Sequence, residues 1–522
     1  MRTPPLPLTA TRREFLKSAG AALTAGAFAT GRSAVATGQS RPAKASSARR
    51  PNILYIFTDD QSCRAVSAYP DAHPWVKTPH IDRIAAEGVR FTTCYTGAWC
   101  QPSRATALTG RLQHGIESLE MLSRYPHSRY DPAECPFWPA VFRKAGYHTG
   151  MIGKWHTGKD TGHGRDWDYS AVWDHTQPKI YGGYYTGQKI SFNGGPPKAV
   201  GGYSTDNYTT WAVEYITERA REPDRPWYLW LCYDAVHSPY TVASRHKKDY
   251  PGVEAVPVPE DIYPPRPTKP RYMREYGVWK RGKDGRPVHR GRTLTRAVVR
   301  YNRAVRALDE GVGKVLAALE ETGQLDHTLV VYTSDQGFAW GQHGFEWKYA
   351  PYDANLRAPL LVRLPGKVAR GKVCERPVGG HDLIPTFLAL AGLELPWKMH
   401  GHDLSPLLKK PDAEWDHPVM LENLKYYYGS DTAKGTGPGW GGVPWWVFYR
   451  NGKYKYIRTL VSGEIEELYD LEADPEELNN LALDGKYHDL LAECRRGLIA
   501  ELKRTDAAMV EHLPPVKGKA GP

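Results

Sequence analysis

The chain has 522 residues, 41% of them hydrophobic and 11% aromatic, which excludes global disorder and allows one large domain of about 350 residues beside a smaller one. A net charge of +12 leaves room for an anionic substrate, a nucleic acid or an anionic membrane surface. No zinc finger, RNA-binding signature or clean basic helix accompanies that charge, so no nucleic-acid partner is expected. The seven cysteines, at 63, 94, 100, 135, 232, 374 and 494, form no CxxC pair, and their odd number leaves at least one unpaired.

Residues 1–36 read as a targeting segment. Thr11-Arg12-Arg13-Glu14-Phe15-Leu16-Lys17 fits the bacterial twin-arginine pattern, an Ala/Gly-rich run from Ser18 to Thr30 follows, and Ala34-Val35-Ala36 offers a cleavage site. The run is too short and weakly apolar to span a bilayer, and no Cys follows the cleavage site, so no stable membrane anchor is expected. The twin-arginine translocase is the expected export partner, with a periplasmic or secreted product. Residues 37–50 read as a polar linker.

The continuous apolar run 51–57 predicts a strand buried on both faces, ending in Asp59-Asp60. Two acids at the carboxyl end of a first parallel strand lie where such sheets place ligands, and adjacent carboxylates favour a hard cation. Thr78 as N-cap, Pro79 at N1 and Gly88 as stop predict a helix. Next comes Cys100-Gln101-Pro102-Ser103-Arg104-Ala105-Thr106-Ala107-Leu108-Thr109-Gly110-Arg111. Pro102 suits a first helical turn and Gly110 ends the helix. Cys100 then sits at the positive N-terminus, with Arg104 one turn on. A helix near 139–145 and a strand at 147–152 lead to Gly153-Lys154-Trp155-His156.

Residues 160–205 read as irregular segments shaping a cleft. A helix at 208–221 precedes the buried strand 226–233, followed by His237 before Ser238-Pro239. The Pro-, Lys- and Arg-dense stretch 251–293 reads as a long surface insertion. Val298, Tyr301, Val305, Leu308, Val312, Val315 and Leu319 mark one face of a helix at 296–322. The strand 328–333 ends before Asp335-Gln336, repeating the strand-end carboxylate, and Gln342-His343 leads on to Lys348. From about 416 short strands at 419–422, 445–449, 454–457 and 467–471 predict a small antiparallel sheet, covered by a helix at 487–502. The Gly-, Tyr- and Trp-rich loop 426–442 is expected to reach the cleft.

The twelve residues from Cys100 to Arg111 match, without a mismatch, the type I sulfatase signature Cys-x-Pro-Ser-Arg-x-x-x-Leu-Thr-Gly-Arg. Several further segments resemble that family in order, together covering roughly 51–480: the strand before Asp59-Asp60, Gly-Lys-Trp-His, the strand ending at His237, Asp335-Gln336, Arg357-Ala358-Pro359-Leu360 and Glu467-Leu468-Tyr469-Asp470. Gln342 departs from the family's usual Glu, and Gln336 from its commoner Asn. The resemblance implies an alkaline phosphatase/sulfatase-like α/β fold with a large, mostly parallel central sheet, a catalytic domain at 51–415 and a C-terminal subdomain at 416–522. It implies a formylglycine made from Cys100 by a cytosolic formylglycine-generating or sulfatase-maturating enzyme. It also implies one Ca²⁺ held by Asp59, Asp60, residue 100, Asp335 and Gln336, with Arg104, Lys154, His156, His237 and Lys348 acting around the sulfate. The expected activity is hydrolysis of sulfate esters, with sulfated carbohydrate as substrate. A phosphonate monoester or phosphodiester hydrolase on the same scaffold and an unmodified glycan-binding relative are the competing readings.

Overall fold

In a computed structural model of the chain, the run at 51–57 forms the strand Asn52–Thr58, buried along its whole length. It is buried because it has parallel neighbours on both edges, Thr328–Ser334 and Trp227–Cys232. The structure describes residues 49–116, 137–158, 160–424 and 442–515. The targeting segment 1–36, most of the linker 37–50, Cys135, most of the loop 426–442 and the terminal residues 517–522 lie outside the described residues.

The central sheet has eleven strands. Across it the order is Lys372–Cys374, Val89–Tyr95, Arg357–Arg363, Thr328–Ser334, Asn52–Thr58, Trp227–Cys232, His148–Lys154, Tyr169–Trp173, Lys189–Phe192 and Lys198–Ala199, with Val378–Gly379 also pairing to Val89–Tyr95. The inner strands run parallel, while Arg357–Arg363 and Lys189–Phe192 run against their neighbours. Residues 160–205 therefore contribute three strands where the sequence reads as irregular. These strands are short and separated by Gly-rich turns, which hides the period-two signal.

Side chains alternate across the sheet and feed two cores. Ile53, Tyr55 and Phe57 pack with Trp138, Trp230 and Phe387 on one face, and Leu54 and Ile56 pack with Tyr208, Leu308 and Val312 on the other. Each fully buried large side chain contributes roughly 1.5–3 kcal/mol, so this doubly covered strand is the axis of the molecule. The helix Leu294–Glu321 lies over the second face, and its N-cap Thr293 accepts the Arg296 N–H at 3.3 Å. The helix Pro79–Ala86 forms as expected, but its capping residue acts differently: the Thr78 hydroxyl donates to Asp82 at 2.9 Å and accepts from the Ser67 N–H at 2.8 Å.

Beyond residue 416 the chain forms a four-stranded antiparallel sheet in the order Val419–Asn423, Trp446–Asn451, Tyr454–Thr459, Glu467–Asp470. The helix His488–Arg504 shares its hydrophobic core. From Arg49 onward the chain is one compact unit. The stretch 251–293 is more than a surface loop. Buried Lys269 donates to Tyr469 Oη at 2.7 Å and to the Glu477 carbonyl at 2.5 Å, and His343 meets Asp261 at 2.6 Å. This segment thereby straps the central-sheet region to the C-terminal sheet.

Candidate active site

Four parallel strands end at one edge and deliver Asp59 and Asp60, Lys154, His237 and Asp335 to a single place. Backbone bonds hold that edge together: the Asp59 N–H reaches the Ala235 carbonyl at 2.9 Å and the Asp335 N–H the Thr58 carbonyl at 3.0 Å. Gly153, at φ 107°, lets the Lys154 strand press against its neighbour, since a Cβ there would lie 1.9 Å from the Cys232 carbonyl oxygen. The signature forms the helix Cys100–Thr109, whose first residue is Cys100 and whose end is Gly110 in the left-handed region. The helix N-terminus therefore points its partial positive charge at the acids.

The contacts are dense. Arg104 Nη2 lies 3.0 Å from Asp59 and 3.4 Å from Asp335, while its Nη1 donates to the Lys154 carbonyl at 2.9 Å. Lys154 Nζ bonds Asp59 Oδ2 and sits 3.2 Å from Tyr184 Oη. Lys348 Nζ donates to Asp60 Oδ1 at 2.6 Å and to Cys100 Sγ at 2.8 Å. Cys100 Sγ is 3.5 Å from Asp59 Oδ1, and the Asp60 N–H donates to Asp335 Oδ1 at 2.8 Å. His237 Nε2 stands 3.6 Å from Asp60 Oδ2. Its Nδ1 lies 2.8 Å from the Ser238 carbonyl, which can only accept, so Nδ1 carries the proton and Nε2 faces the acids.

Burial and crowding set the electrostatics. Burial raises the Asp59 carboxyl, but Lys154, His237 and Arg104 overcome it and hold the group well below the usual range. Asp335, pushed by burial and then by Asp59, rises to about 7. Burial pulls Lys348 down, yet Asp60 and Cys100 carry it well above its ordinary value. Burial first, then Asp59, pushes the Cys100 thiol far up, so the unmodified thiol is a poor nucleophile.

Ligand atoms of Asp59, Asp60, Cys100 and Asp335 all lie within 4.8 Å of one another. Gln336 donates its amide to Asp60, and its Oε1 is buried without a hydrogen-bond partner. Three carboxylates and an orphaned carbonyl are the donor set of a hard cation such as Ca²⁺, and lack the sulfur and nitrogen majority that zinc favours.

Every predicted site residue except His156 is joined to this cluster by a direct contact. His156 stands to one side: its ring is 6.4 Å from that of Trp99 and 4.6 Å from that of His175, and its buried Nδ1 has no partner. Two aromatic residues escaped the sequence reading. Tyr184 stacks on His237, with ring centroids 4.3 Å apart and planes 2° from parallel, while holding Lys154. His175 stands between His156 and His237, with Nδ1 buried and unpartnered. The signal available for both was only the Tyr- and Gly-rich composition of 160–205. His343, by contrast, is scaffold: Asp261 and the ring of Tyr352 hold it. The six described cysteines are all buried and unpaired.

The fold is a layered α/β one whose strand-end pocket gathers Arg104, Lys154 and Lys348 around Asp59, Asp60 and Cys100. The chain belongs to the sulfatase family: the family model described as Sulfatase matches residues 51–393, and one for the C-terminal part of N-sulphoglucosamine sulphohydrolase matches 341–504. It is thus a sulfuric ester hydrolase. An N-acetylglucosamine-6-O-sulfatase of Bacteroides thetaiotaomicron is 27% identical over 90% of this chain and 88% of its own. An ulvan-active sulfatase of Formosa agariphila is 27% identical over 85% of this chain and 81% of its own. A solved protein bound to its substrate D-glucosamine-2-N,6-O-disulfate superposes with a TM-score of 0.74 at 26% identity, covering 88% of this chain and 99% of that one. A phosphonate monoester hydrolase of Agrobacterium radiobacter, at 22% identity and a TM-score of 0.62 over 87% of this chain and 96% of that one, shares the fold.

Proposed function

We propose that this sulfatase removes sulfate from sulfated carbohydrates, using a formylglycine made from Cys100 and a Ca²⁺ ion held by Asp59, Asp60, Asp335 and Gln336. The observation that carries the reading is the meeting of position 100 with three carboxylates, Arg104, Lys154 and Lys348 in one buried pocket. A hydrated aldehyde at position 100 would supply the attacking hydroxyl, and a divalent cation would polarise the sulfate oxygens. Around them Arg104, Lys154 and Lys348 offset charge on the sulfate, the large electrostatic part of such catalysis. Asp335, within the same 4.8 Å cluster, takes the proton of the attacking group. As the bond from sulfur to the sugar oxygen breaks, that oxygen takes a proton from Lys348, whose charge Asp60 and Cys100 sustain, or from His237 Nε2 once the ring has taken up a second proton beside Asp60. His156, beside His175 and Trp99, serves the second half of the turnover, in which sulfate leaves. Carbohydrate is the preferred substrate class because relatives along most of this chain are named as an N-acetylglucosamine-6-O-sulfatase and an ulvan-active sulfatase and because the chain is strongly basic. Export by the twin-arginine route follows from residues 11–36, and no described helix is long and apolar enough to cross a membrane.

Three measurements test the reading. Mass spectrometry of the peptide bearing position 100 should show the aldehyde in place of the thiol. Elemental analysis after removal of loose metal should find about one calcium per chain; zinc or no metal overturns the ligand set. N-acetylglucosamine-6-sulfate should be turned over faster than an aryl phosphonate monoester or phosphodiester, and the reverse order would make the phosphonate hydrolase the better description.

A further inference from the structure

A second feature of the molecule concentrates positive charge outside the catalytic pocket. A hollow of about 810 Å³ is lined by Lys247, Arg286, Arg292, Arg296, Arg300 and Arg303, against one carboxylate, Glu254. Arg296, Arg300 and Arg303 recur at i, i+4 and i+7 along the helix Leu294–Glu321, so they line one stripe, opposite the apolar face that enters the core. Like charges one turn apart repel, and the neighbourhood does little to relieve them. Among the described residues Lys247, Arg296, Arg300 and Arg303 pair with no carboxylate. Arg300 and Arg303 are anchored through Nε to the Tyr240 and Asp249 carbonyls, at 3.1 and 2.7 Å.

The hollow adjoins another of about 860 Å³, with which it shares Tyr250, Pro251, Val253 and Glu254. The second hollow adds Trp75, whose ring packs edge-on against Tyr250 at 4.9 Å. Trp75 is also stacked on His73, with ring centroids 5.3 Å apart, and the rest of its surface lines the hollow. The cleft also stands close to the chemistry in the chain. Its wall residue Thr241 lies four positions after His237, and its Arg292 bonds Glu346 at 3.1 Å, two positions before Lys348.

The geometry points to a polysulfated-glycan site: this cleft binds the sulfated chain beyond the sugar being desulfated, so that the enzyme acts on oligosaccharides and polymers better than on single sugars. This rests on the carbohydrate reading above. The test uses the full-length matured enzyme with Lys247→Glu/Arg296→Glu, and the milder Lys247→Gln/Arg296→Gln should the charge reversal fail to fold. Both positions are exposed and tie to no structural partner among the described residues.

The expected result is a KM for a sulfated oligosaccharide raised about tenfold with kcat unchanged, and a shallower salt dependence, while N-acetylglucosamine-6-sulfate, too short to reach the cleft, keeps both constants. Equal effects on the two substrates, or none, overturn the proposal. If no sulfated sugar of any size is turned over while aryl sulfates are, the carbohydrate reading falls separately. Direct binding of a heparin-derived hexasaccharide then still decides the cleft, with about tenfold weaker binding by the variant supporting it and unchanged binding overturning it. A single-stranded oligonucleotide of the same charge that binds as tightly, with the same sensitivity to the variant, would make this a nucleic-acid site and overturn the glycan assignment.

Discussion

Two buried clusters of mixed charge among the described residues are built differently. At the junction with the C-terminal sheet, Lys455 lies between Asp353 at 2.8 Å and Glu477 at 2.9 Å, with the rings of Phe448 and Tyr95 4.9 and 5.4 Å away. Glu477 also accepts the Asp353 N–H at 2.6 Å, and Tyr95 donates to Asp353 at 2.6 Å. Opposite charges alternate there, and the backbone joins in. Each cluster holds one acidic residue in the left-handed region, Asp60 at φ 58° and Glu477 at φ 55°, but in the catalytic cluster three carboxylates crowd within 4.8 Å, and Arg104 Nε and Gln336 Oε1 have no partner. Buried like charges and orphaned polar atoms cost stability. A fold tolerates that cost where it prepares a site for an ion and an anionic substrate. On the proposed function, the junction cluster is scaffold and the strand-end cluster is machinery.

The sharpest way to break this contrast is Cys100→Ala. It should lower turnover on the order of 10⁴-fold or more, because the proposed nucleophile is gone, while calcium content and melting temperature stay near wild type. Activity within tenfold of wild type would show that position 100 is not the reacting centre.

His237→Ala sharpens the assignment within the machinery. A sugar sulfate leaves as a basic alkoxide and needs a proton, whereas a nitrophenyl sulfate leaves as a stable phenolate. Loss of general-acid help, about 10²–10⁴-fold, should fall on the sugar sulfate and clearly less on the aryl ester. Equal losses would move the proton to Lys348 and leave His237 as a sulfate contact.

On the scaffold side, Lys455→Ala takes the cation from Glu477 and leaves Asp353 only Arg450 at 3.4 Å, and should destabilise the protein by about 3–5 kcal/mol, measured by denaturant unfolding. The molecules that remain folded should keep their kcat. A selective loss of kcat without loss of stability would erase the distinction between the two clusters.

The smallest effect is expected for Tyr184→Phe, which keeps the ring on His237 and removes the hydroxyl beside Lys154. One hydrogen bond is worth about 0.5–1.5 kcal/mol, roughly two- to tenfold in kcat/KM. Tyr184→Leu, which also removes the stacked ring, should cost more. Wild-type kinetics in both would reduce Tyr184 to packing.

The strand-end cluster, the proposed reactive centre, was legible in the sequence because its parts lie in short recognisable stretches. Cys100 to Arg111 carry helix start, nucleophile position and stop within one short stretch, and Asp59, Lys154, His237 and Asp335 each stand at or just beyond the end of a recognisable strand. Parallel strands put such ends at one edge whatever the rest of the chain does. The tertiary structure alone decided which distant side chains join them. It brought Tyr184 and His175 into the site from a segment whose short strands left no periodic signal. It set His343 against Asp261 as scaffold, and built the junction of Asp353, Lys455 and Glu477 from residues about a hundred positions apart. The arginines at 296, 300 and 303 lie off the apolar face that the sequence marks on their helix. That they face Lys247 and Arg286 across a cleft depends on how the strap 251–293 packs, and no local pattern encodes that packing.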